Sequence, residues 1–165
     1  MNDSYAEHLI QSKTPFYAHI INAVMMVLTA ITVFLAFTTD VLAVVLMFAV
    51  GFATYILYRN SHVEYEYLYV DGQLTIDKIL GKAKRKKAWE GSLGDIQIIA
   101  PSDSPVLNDY RSGQAKILDF SSHLPEARTY TAIVQAPSGQ ERIIFEPNEK
   151  MLHCFYQTSP RKVVR

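Results

Sequence analysis

Two long apolar stretches lie near the start of the chain, at residues 18–39 and 41–58, with a single charged side chain, Asp40, between them. As helices rising ~1.5 Å per residue, residues 18–38 and 41–58 would measure roughly 31 and 27 Å, and the hydrocarbon core of a bilayer is about 30 Å thick. In the middle of the first stretch the only polar side chains are those of Thr29 and Thr32. A helix that is apolar on all sides is typical of lipid surroundings, so the pattern predicts a transmembrane helical hairpin.

Two other interpretations of this region are weaker. A pair of buried helices in a soluble protein would carry polar residues on its outer faces, which these stretches lack. A cleaved signal peptide would start with a basic region, whereas Asp3, Glu7 and Lys13 precede the first stretch and a second stretch follows at once. We therefore predict two retained spans, at about residues 17–38 and 41–58.

The ends of the spans indicate how the hairpin is oriented. Tyr17, Tyr55 and Tyr58 lie at its open end, where amphipathic rings collect at a membrane interface, and Arg59 follows directly. The tip carries no Lys or Arg, so the bias of basic residues towards the cytoplasm predicts a multi-pass protein of the cell membrane with both termini cytoplasmic. Asp40 at the tip fits an N-cap of the second helix, because its carboxylate can accept bonds from unpaired N–H groups.

A few small or polar side chains interrupt the apolar spans. His19 and Asn22 share one face of the first helix close to the interface, and we expect interfacial or interhelical hydrogen bonds from them. Ala49 and Ala53 have the spacing that lets helices approach closely. That spacing is compatible with packing of the hairpin on itself or on a neighbouring helix.

After residues 60–61 the periodicity changes from helical to alternating. Tyr65, Tyr67 and Tyr69 share one face, which predicts a strand, and Asp71–Gly72 predicts a tight turn into the next strand. Similar patterns predict strands at 73–80, 82–89, 96–100, 116–121, 129–136 and 141–145, a polar loop at 101–114, and a helix that begins at Pro147 and ends before Pro160. Residues 1–15, with an apolar stripe of Tyr5, Leu9 and Ile10, are predicted to be a polar segment containing a short surface helix.

Four strands, a loop, three strands and a C-terminal helix are the element order of a pleckstrin-homology (PH) domain, in which the helix plugs one end of a bent sheet. With its hairpin, the chain resembles a family of small, uncharacterised bacterial membrane proteins that carry two transmembrane helices followed by a PH-like domain. The resemblance covers residues 17–157 and is carried mostly by the stretch EYEYLYVDGQLTIDKILGKAKRKKAWEGSLGDIQIIA. It implies an α+β membrane protein with a seven-stranded antiparallel β-barrel or sandwich capped by the helix, and it implies no activity.

The predicted organisation has four parts: a polar segment (1–15), a transmembrane hairpin (16–59), a PH-like domain with its helix (62–158) and a basic tail (159–165). From residue 62 onward the chain has 14 bases and 13 acids, which is far from the basic surplus of a nucleic-acid-binding domain. Cys154 is the one cysteine, so neither an internal disulfide nor a cysteine-rich metal site can form within the chain. We expect Cys154 to be a small buried apolar residue.

The sharpest local feature is a basic cluster of five bases in six residues, defined as Lys82, Lys84, Arg85, Lys86 and Lys87. Three interpretations stay open: a solvated edge strand whose charges block unwanted pairing, nonspecific contact with anionic lipid, or a specific headgroup pocket. Strand alternation places Arg85 and Lys87 on the face opposite the other three, and Glu64 and Glu66 are able to pair with some of the five bases across strands. PH domains that bind phosphoinositides usually carry bases around the first hairpin loop, which here is Asp71–Gly72, so the resemblance does not favour the pocket.

The residue types of a nucleophilic triad occur close together in Asp119, Ser121, Ser122 and His123, but without the strand–turn–helix context of a nucleophile elbow. His153 and Cys154 are adjacent on a helix and have no metal-ligand spacing. We therefore expect no enzyme activity, no cofactor, no metal and no small-molecule substrate.

Two functions remain from different classes. The first is a non-enzymatic interaction module at the inner leaflet, binding a protein partner or anionic lipid. The second is an accessory subunit of a larger membrane complex, or a homo-oligomer, that packs through its hairpin.

Overall fold

The computed structural model describes residues 5–38, 41–110, 115–137 and 139–164 of the 165-residue chain. Its elements, in order, are β1 (Tyr5–Gln11), α1 (Phe16–Thr38), α2 (Val41–Asn60), β2 (Val63–Val70), β3 (Gln73–Leu80), β4 (Lys84–Ser92), β5 (Ile96–Pro101), a 3₁₀ helix (Pro105–Tyr110), β6 (Lys116–Asp119), β7 (Tyr130–Ala136), β8 (Gly139–Phe145) and α3 (Glu149–Thr158). Two apolar helices followed by β-sheets and a C-terminal helix confirm the predicted order of the main elements. Thr39 and Asp40 lie outside the described residues, and so does the predicted N-cap.

The strands form two separate four-stranded sheets, in the orders β1–β2–β3–β4 and β5–β7–β8–β6. The prediction of a seven-stranded antiparallel barrel or sandwich is wrong in the number of strands, because there are eight described strands, and in their direction, because β6 runs parallel to β8. The barrel alternative is wrong as well, because the two sheets are not closed on each other. A tight hairpin forces antiparallel pairing, but residues 120–129 between β6 and β7 are long enough for the chain to cross to the far side of β8.

The additional strand is β1, so the prediction of a surface helix in residues 1–15 is wrong. Tyr5, Leu9 and Ile10 resemble a helical stripe, but the segment pairs antiparallel with β2 from Tyr5↔Val70 to Gln11↔Glu64. Ala6, opposite Tyr69, is fully buried, whereas Tyr5 and Leu9 are about half exposed. Because β1 precedes the two helices and β2 follows them, the helical hairpin is inserted between two neighbouring strands of one sheet.

The two helices of the hairpin pack through a narrow face of small and polar residues. The hydroxyls of Thr29 and Thr54 lie 2.8 Å apart across the helix pair, and Thr32 is buried on the same side of α1. Asn22 is also buried, and its amide donates at 3.1 Å to the hydroxyl of Ser61, the residue that follows α2. His19, for which interfacial or interhelical hydrogen bonds were also predicted, is exposed. Most of the apolar side chains of α1 and α2 point outward and are exposed.

The core of the domain lies between the two sheets and is closed at one end by α3. Tyr67 and Tyr69 of β2 are fully buried, and Tyr69 packs edge-on against Phe155 of α3 with ring centroids 4.9 Å apart. Cys154 is buried in the same core, as predicted. The α3 helix begins at Glu149, two residues after the predicted start at Pro147, because Asn148 is the N-cap and its side chain accepts from the Met151 N–H.

The predicted basic tail packs on the domain. The Lys162 ammonium donates to the carbonyl oxygens of Leu93 and Gly94, at 2.9 and 2.8 Å. Val163 is 7% exposed and forms a parallel bridge with Ile99, on the edge of β5. These contacts attach residues 162–164 to the second sheet.

Candidate functional site

The base of the hairpin is bound to the domain by backbone hydrogen bonds on both linkers. The Ser12 N–H donates to the Val63 carbonyl at 2.9 Å, which extends the β1–β2 ladder to the start of α1. The Lys13 N–H donates to Ser122 O at 2.7 Å, and the Gly81 N–H donates to His62 O at 2.9 Å. With linkers this short and this well bonded, the ends of α1 and α2 stand directly on the first sheet.

The predicted interface anchors lie around this base. Tyr17 is 66% exposed on the first turn of α1, and Tyr55 and Tyr58 are exposed on the last turns of α2. The guanidinium of Arg59 lies 5.6 Å from the ring centroid of Tyr55, within cation–π range. Their contact with a bilayer stays a prediction.

The turn between β3 and β4 reaches the end of α2. A Cβ on Gly81 would lie 2.1 Å from Cγ of Arg59, and the backbone φ of +57° at Gly81 also favours glycine. Lys82 follows with φ +57°, so it belongs to this turn and is not the first residue of β4, as its predicted strand assignment required. The turn therefore places the first base of the basic cluster beside Arg59.

On β4 the basic cluster is divided between two faces, and the outer face is neutralised. Arg85 donates to Glu66, with an N–O distance of 2.7 Å, and lies 3.9 Å from Asp77. Lys87 pairs with Glu90 at 2.6 Å, which also raises the Lys87 pKa through the hydrogen bond to that carboxylate. The predicted cross-strand pairing with Glu66 is therefore present for one base, Arg85.

The bases on the opposite face have no such partners. Lys84 and Lys86 share that face with their register partners Leu80 and Lys78. We call Lys78, Lys82, Lys84 and Lys86 the unpaired lysines, because none forms an ion pair with a carboxylate in the described parts of the chain. Lys78 is half-buried, whereas the other three are exposed.

Sequence reasoning missed Lys78 because it lies outside the run of bases. The available signal was its position two residues after Ile76, a fully buried core residue of the same strand. Alternation from Ile76 directs Lys78 to the inner face, but only the β3–β4 register shows that it lies opposite Lys86.

Two neighbouring features add to this positive charge. Like charges directly opposite each other on a sheet are destabilising, and Lys78 and Lys86 form such a pair. The first turn of α1, which is the positive end of the helix dipole, carries no acidic residue. The arrangement favours an anion at the base of the hairpin.

Two clefts open at this base, on different sides. One, of about 340 Å³, lies between α1, α2 and the first sheet and includes Tyr17, Asn22, Ser61 and Lys78 in its wall. The other, of about 350 Å³, is lined by Tyr55, Tyr58, Arg59 and the β3–β4 turn with Lys82. The unpaired lysines thus reach both sides of the hairpin.

The Asp119, Ser121 and His123 side chains do meet, but as a loop-stabilising cluster. The Ser121 hydroxyl donates to Asp119 at 2.7 Å, and Asp119 also accepts from the Ser121 N–H at 2.9 Å. His123 Nδ1 lies 3.3 Å from the same hydroxyl. Because Ser121 is 3% exposed and its proton is directed to a carboxylate, the geometry is unsuited to nucleophilic attack on a substrate.

The described residues contain no group of three or more His, Cys, Asp or Glu side chains placed to hold a metal ion. The chain matches the family described as Bacterial PH-like domain (DUF6106) over residues 2–165. No curated protein matches it. No solved structure matches it either.

Proposed function

Because the chain belongs to the bacterial PH-like domain family, we propose that it is a non-enzymatic binding module, held at the inner leaflet by its hairpin and in contact with anionic lipid headgroups. The contact is made by the unpaired lysines on the β3–β4 turn and β4, which are Lys82, Lys84 and Lys86. One observation carries the proposal: on β4, Arg85 and Lys87 of one face are neutralised by carboxylates, whereas Lys84 and Lys86 of the other face have no ion pair in the described parts of the chain.

Insertion of the hairpin in a membrane is supported by its length, composition and exposure. Both helices are long and apolar enough to cross a bilayer. Of the most apolar 18-residue segment, only 11% is buried in α1 and 0% in α2. A core helix of a soluble protein would be mostly buried. Cleavage as a signal sequence would remove β1 with α1, and β1 pairs along its whole length with β2.

The end of the hairpin that carries the domain supports a cytoplasmic position of the domain. Both helices meet the first sheet, so an inserted hairpin leaves β1 and all later strands on one side of the membrane. Arg59 and the unpaired lysines are at that end, and basic residues favour the cytoplasmic side. Tyr17, Tyr55 and Tyr58 then lie at the level of the headgroups.

The hairpin already holds the chain at the membrane, so the lysine contact is not needed for membrane binding. Its free energy instead orients the domain relative to the bilayer. Each base near an anionic leaflet contributes about 1 kcal/mol, so the three lysines together contribute about 3 kcal/mol. That is enough to favour one tilt of the domain by roughly a hundredfold.

The test uses the full chain in vesicles and a spin label on Ala83, which is exposed between Lys82 and Lys84. The label is attached to an Ala83→Cys substitution in a Cys154→Ala background, so that it occupies one site. We expect a water-soluble relaxation reagent to reach the label several-fold less well in vesicles containing phosphatidylglycerol than in pure phosphatidylcholine. Replacing Lys82, Lys84 and Lys86 with Gln should abolish this difference.

The charge-matched control replaces the exposed bases Lys116, Lys150 and Arg161 with Gln and should leave the difference intact. Equal accessibility of the label in both kinds of vesicle would contradict the lipid contact. Crosslinking of the hairpin to another membrane protein, together with equal accessibility, would favour the accessory-subunit function instead.

A further inference from the structure

We infer that the cleft between the hairpin and the first sheet is a binding site for one anionic phospholipid, with the phosphate against Lys78 and the acyl chains along α1 and α2. The inference rests on the proposed function and adds to it a defined site, a stoichiometry and a lipid class. Lys78 is the residue on which it depends most.

The cleft has the size and the two-sided chemistry that a phospholipid needs. Its volume of about 340 Å³ lies within the range of about 300–1,000 Å³ that is usual for small-molecule sites. Asn60, Ser61 and Lys78 line its polar part, at the level of the domain. Ile21 and Leu57, one helical turn further into the hairpin, line its apolar part.

The positive charge of the cleft is the first argument for an anionic ligand. Lys78 is half-buried and lies opposite Lys86, without a carboxylate partner within the described segments. Removing an ammonium group from water is costly unless an anion compensates it. A phosphate in the cleft beside Lys78 would supply that anion and offset the repulsion from Lys86.

Two other polar groups of the wall, on Asn22 and Ser61, are already hydrogen-bonded. The Asn22 amide donates to the Ser61 hydroxyl at 3.1 Å, and that hydroxyl donates to Leu57 O at 2.8 Å. These bonds hold the wall of the cleft in shape, and Lys78 is the charged side chain in the lining. A headgroup with its own ammonium, such as choline, would add a second positive charge beside Lys78, so the site should prefer phosphatidylglycerol to phosphatidylcholine.

The apolar part of the cleft favours a lipid over free phosphate. Ile21 is 45% exposed and Leu57 is 40% exposed, and both continue into the exposed apolar surface of the helices. Acyl chains would cover this surface, whereas inorganic phosphate would leave it uncovered. Both sources share the phosphate chemistry, so the experiment includes each of them.

Native mass spectrometry of the full chain in detergent can count bound lipids directly. With added phosphatidylglycerol we expect one retained molecule per chain, and roughly tenfold less retention of phosphatidylcholine. Lys78→Gln should lower phosphatidylglycerol retention by roughly tenfold, because it removes the charge-assisted contact to the phosphate. Lys150→Gln, an exposed lysine on α3, is the matched control and should retain lipid like the wild type.

A second variant tests the acyl-chain part without changing any charge. Ile21→Trp fills the apolar side of the cleft from an exposed position and should also lower retention of phosphatidylglycerol. Excess inorganic phosphate should not displace the lipid. Circular dichroism and melting temperature identify a variant that has failed to fold, in which case the other variant decides.

Equal retention of both lipids, unchanged retention in Lys78→Gln, or complete displacement by inorganic phosphate would each overturn the inference. The label on Ala83 separates this failure from failure of the proposed function. A label that still senses phosphatidylglycerol vesicles, in a chain that retains no lipid in detergent, would leave the surface contact in place and remove only the site.

Discussion

Tyr67 is the side chain that joins the two halves of the domain most directly. It is fully buried on β2, and its hydroxyl donates to the Phe120 carbonyl at 2.7 Å while accepting from the Glu146 N–H at 3.3 Å. Its ring packs edge-on against Phe145 with ring centroids 5.8 Å apart. One phenol thus satisfies two buried backbone groups beyond the first sheet.

Tyr67→Phe keeps the ring but leaves both backbone groups without their partner. We expect it to lower the free energy of unfolding by about 1–3 kcal/mol, the usual penalty for a buried unsatisfied polar group. Thermal unfolding of the full chain in detergent would measure this. Tyr5→Phe is the control, because Tyr5 is 49% exposed and should change stability little; a similar loss in both variants would contradict the role given to the Tyr67 hydroxyl.

The same tyrosines predict how stability depends on alkaline pH. Burial raises the pKa of Tyr65, Tyr67 and Tyr69 above the ordinary value near 10. The unfolded chain therefore loses these phenolic protons first, so stability is retained below pH 10 and falls as pH rises above it. Melting temperatures between pH 9 and 11 should decline less steeply for Tyr67→Phe than for the wild type. Equal slopes would show that Tyr67 does not contribute.

At the scale of elements, β1 is the strand on which the architecture depends. It lies before the hairpin in the chain and at the edge of the first sheet in space. Its Ala6 packs in the core, and the Asn148 side chain of the α3 cap donates to its Glu7 carbonyl at 3.3 Å. A domain that starts at residue 62 would therefore lack one strand of its sheet.

We expect the piece 62–165 to aggregate or to give poorly dispersed amide NMR spectra, since the edge of β2 is uncovered. A second piece, in which residues 5–13 are joined to 62–165 by a flexible loop of about four residues, should be soluble and well dispersed. Such a loop replaces the hairpin without strain, because Ser12 and Val63 are hydrogen-bonded at 2.9 Å. Equal behaviour of the two pieces would show that β1 is dispensable.

For the whole molecule, the hairpin and the domain are joined too closely to move freely. Two short linkers, both hydrogen-bonded to the sheet, carry α1 and α2. A tether of this kind fixes how the domain is placed relative to the hairpin, and the unpaired lysines belong to the sheet that carries both helices. Under the proposed function, contact of Lys82, Lys84 and Lys86 with lipid would depend on the tilt of the domain.

The predicted topology can be measured by cysteine labelling in whole cells, in the Cys154→Ala background. A cysteine in place of exposed Glu126 should react with an impermeant maleimide only after the cells are permeabilised. A cysteine in place of Asp40 should react in intact cells. Reaction of the Glu126 position from outside would invert the topology and remove the inner leaflet as the site of action.

The elements that were predictable from sequence are those with a strong local period. The two apolar helices follow from their long runs of apolar residues, and β2 and β3 follow from alternating tyrosines around Asp71–Gly72. The basic cluster was visible for the same reason, as was its division between two strand faces. Local periodicity could not assign β1, because seven residues with a mixed pattern fit a helix as well as a strand.

Sequence alone therefore determined that this chain has an apolar helical hairpin followed by a β domain of the PH-like kind, with a concentration of bases near the junction. Only the tertiary structure decided that the hairpin interrupts a sheet, because β1 and β2 are 52 residues apart between Gln11 and Val63 and meet through non-local hydrogen bonds. It also decided which lysines lack a partner, since charge neutralisation depends on cross-strand register. The two apolar helices are joined to adjacent strands of the first sheet, β1 and β2. The unpaired lysines belong to the same sheet and lie near the base of the hairpin.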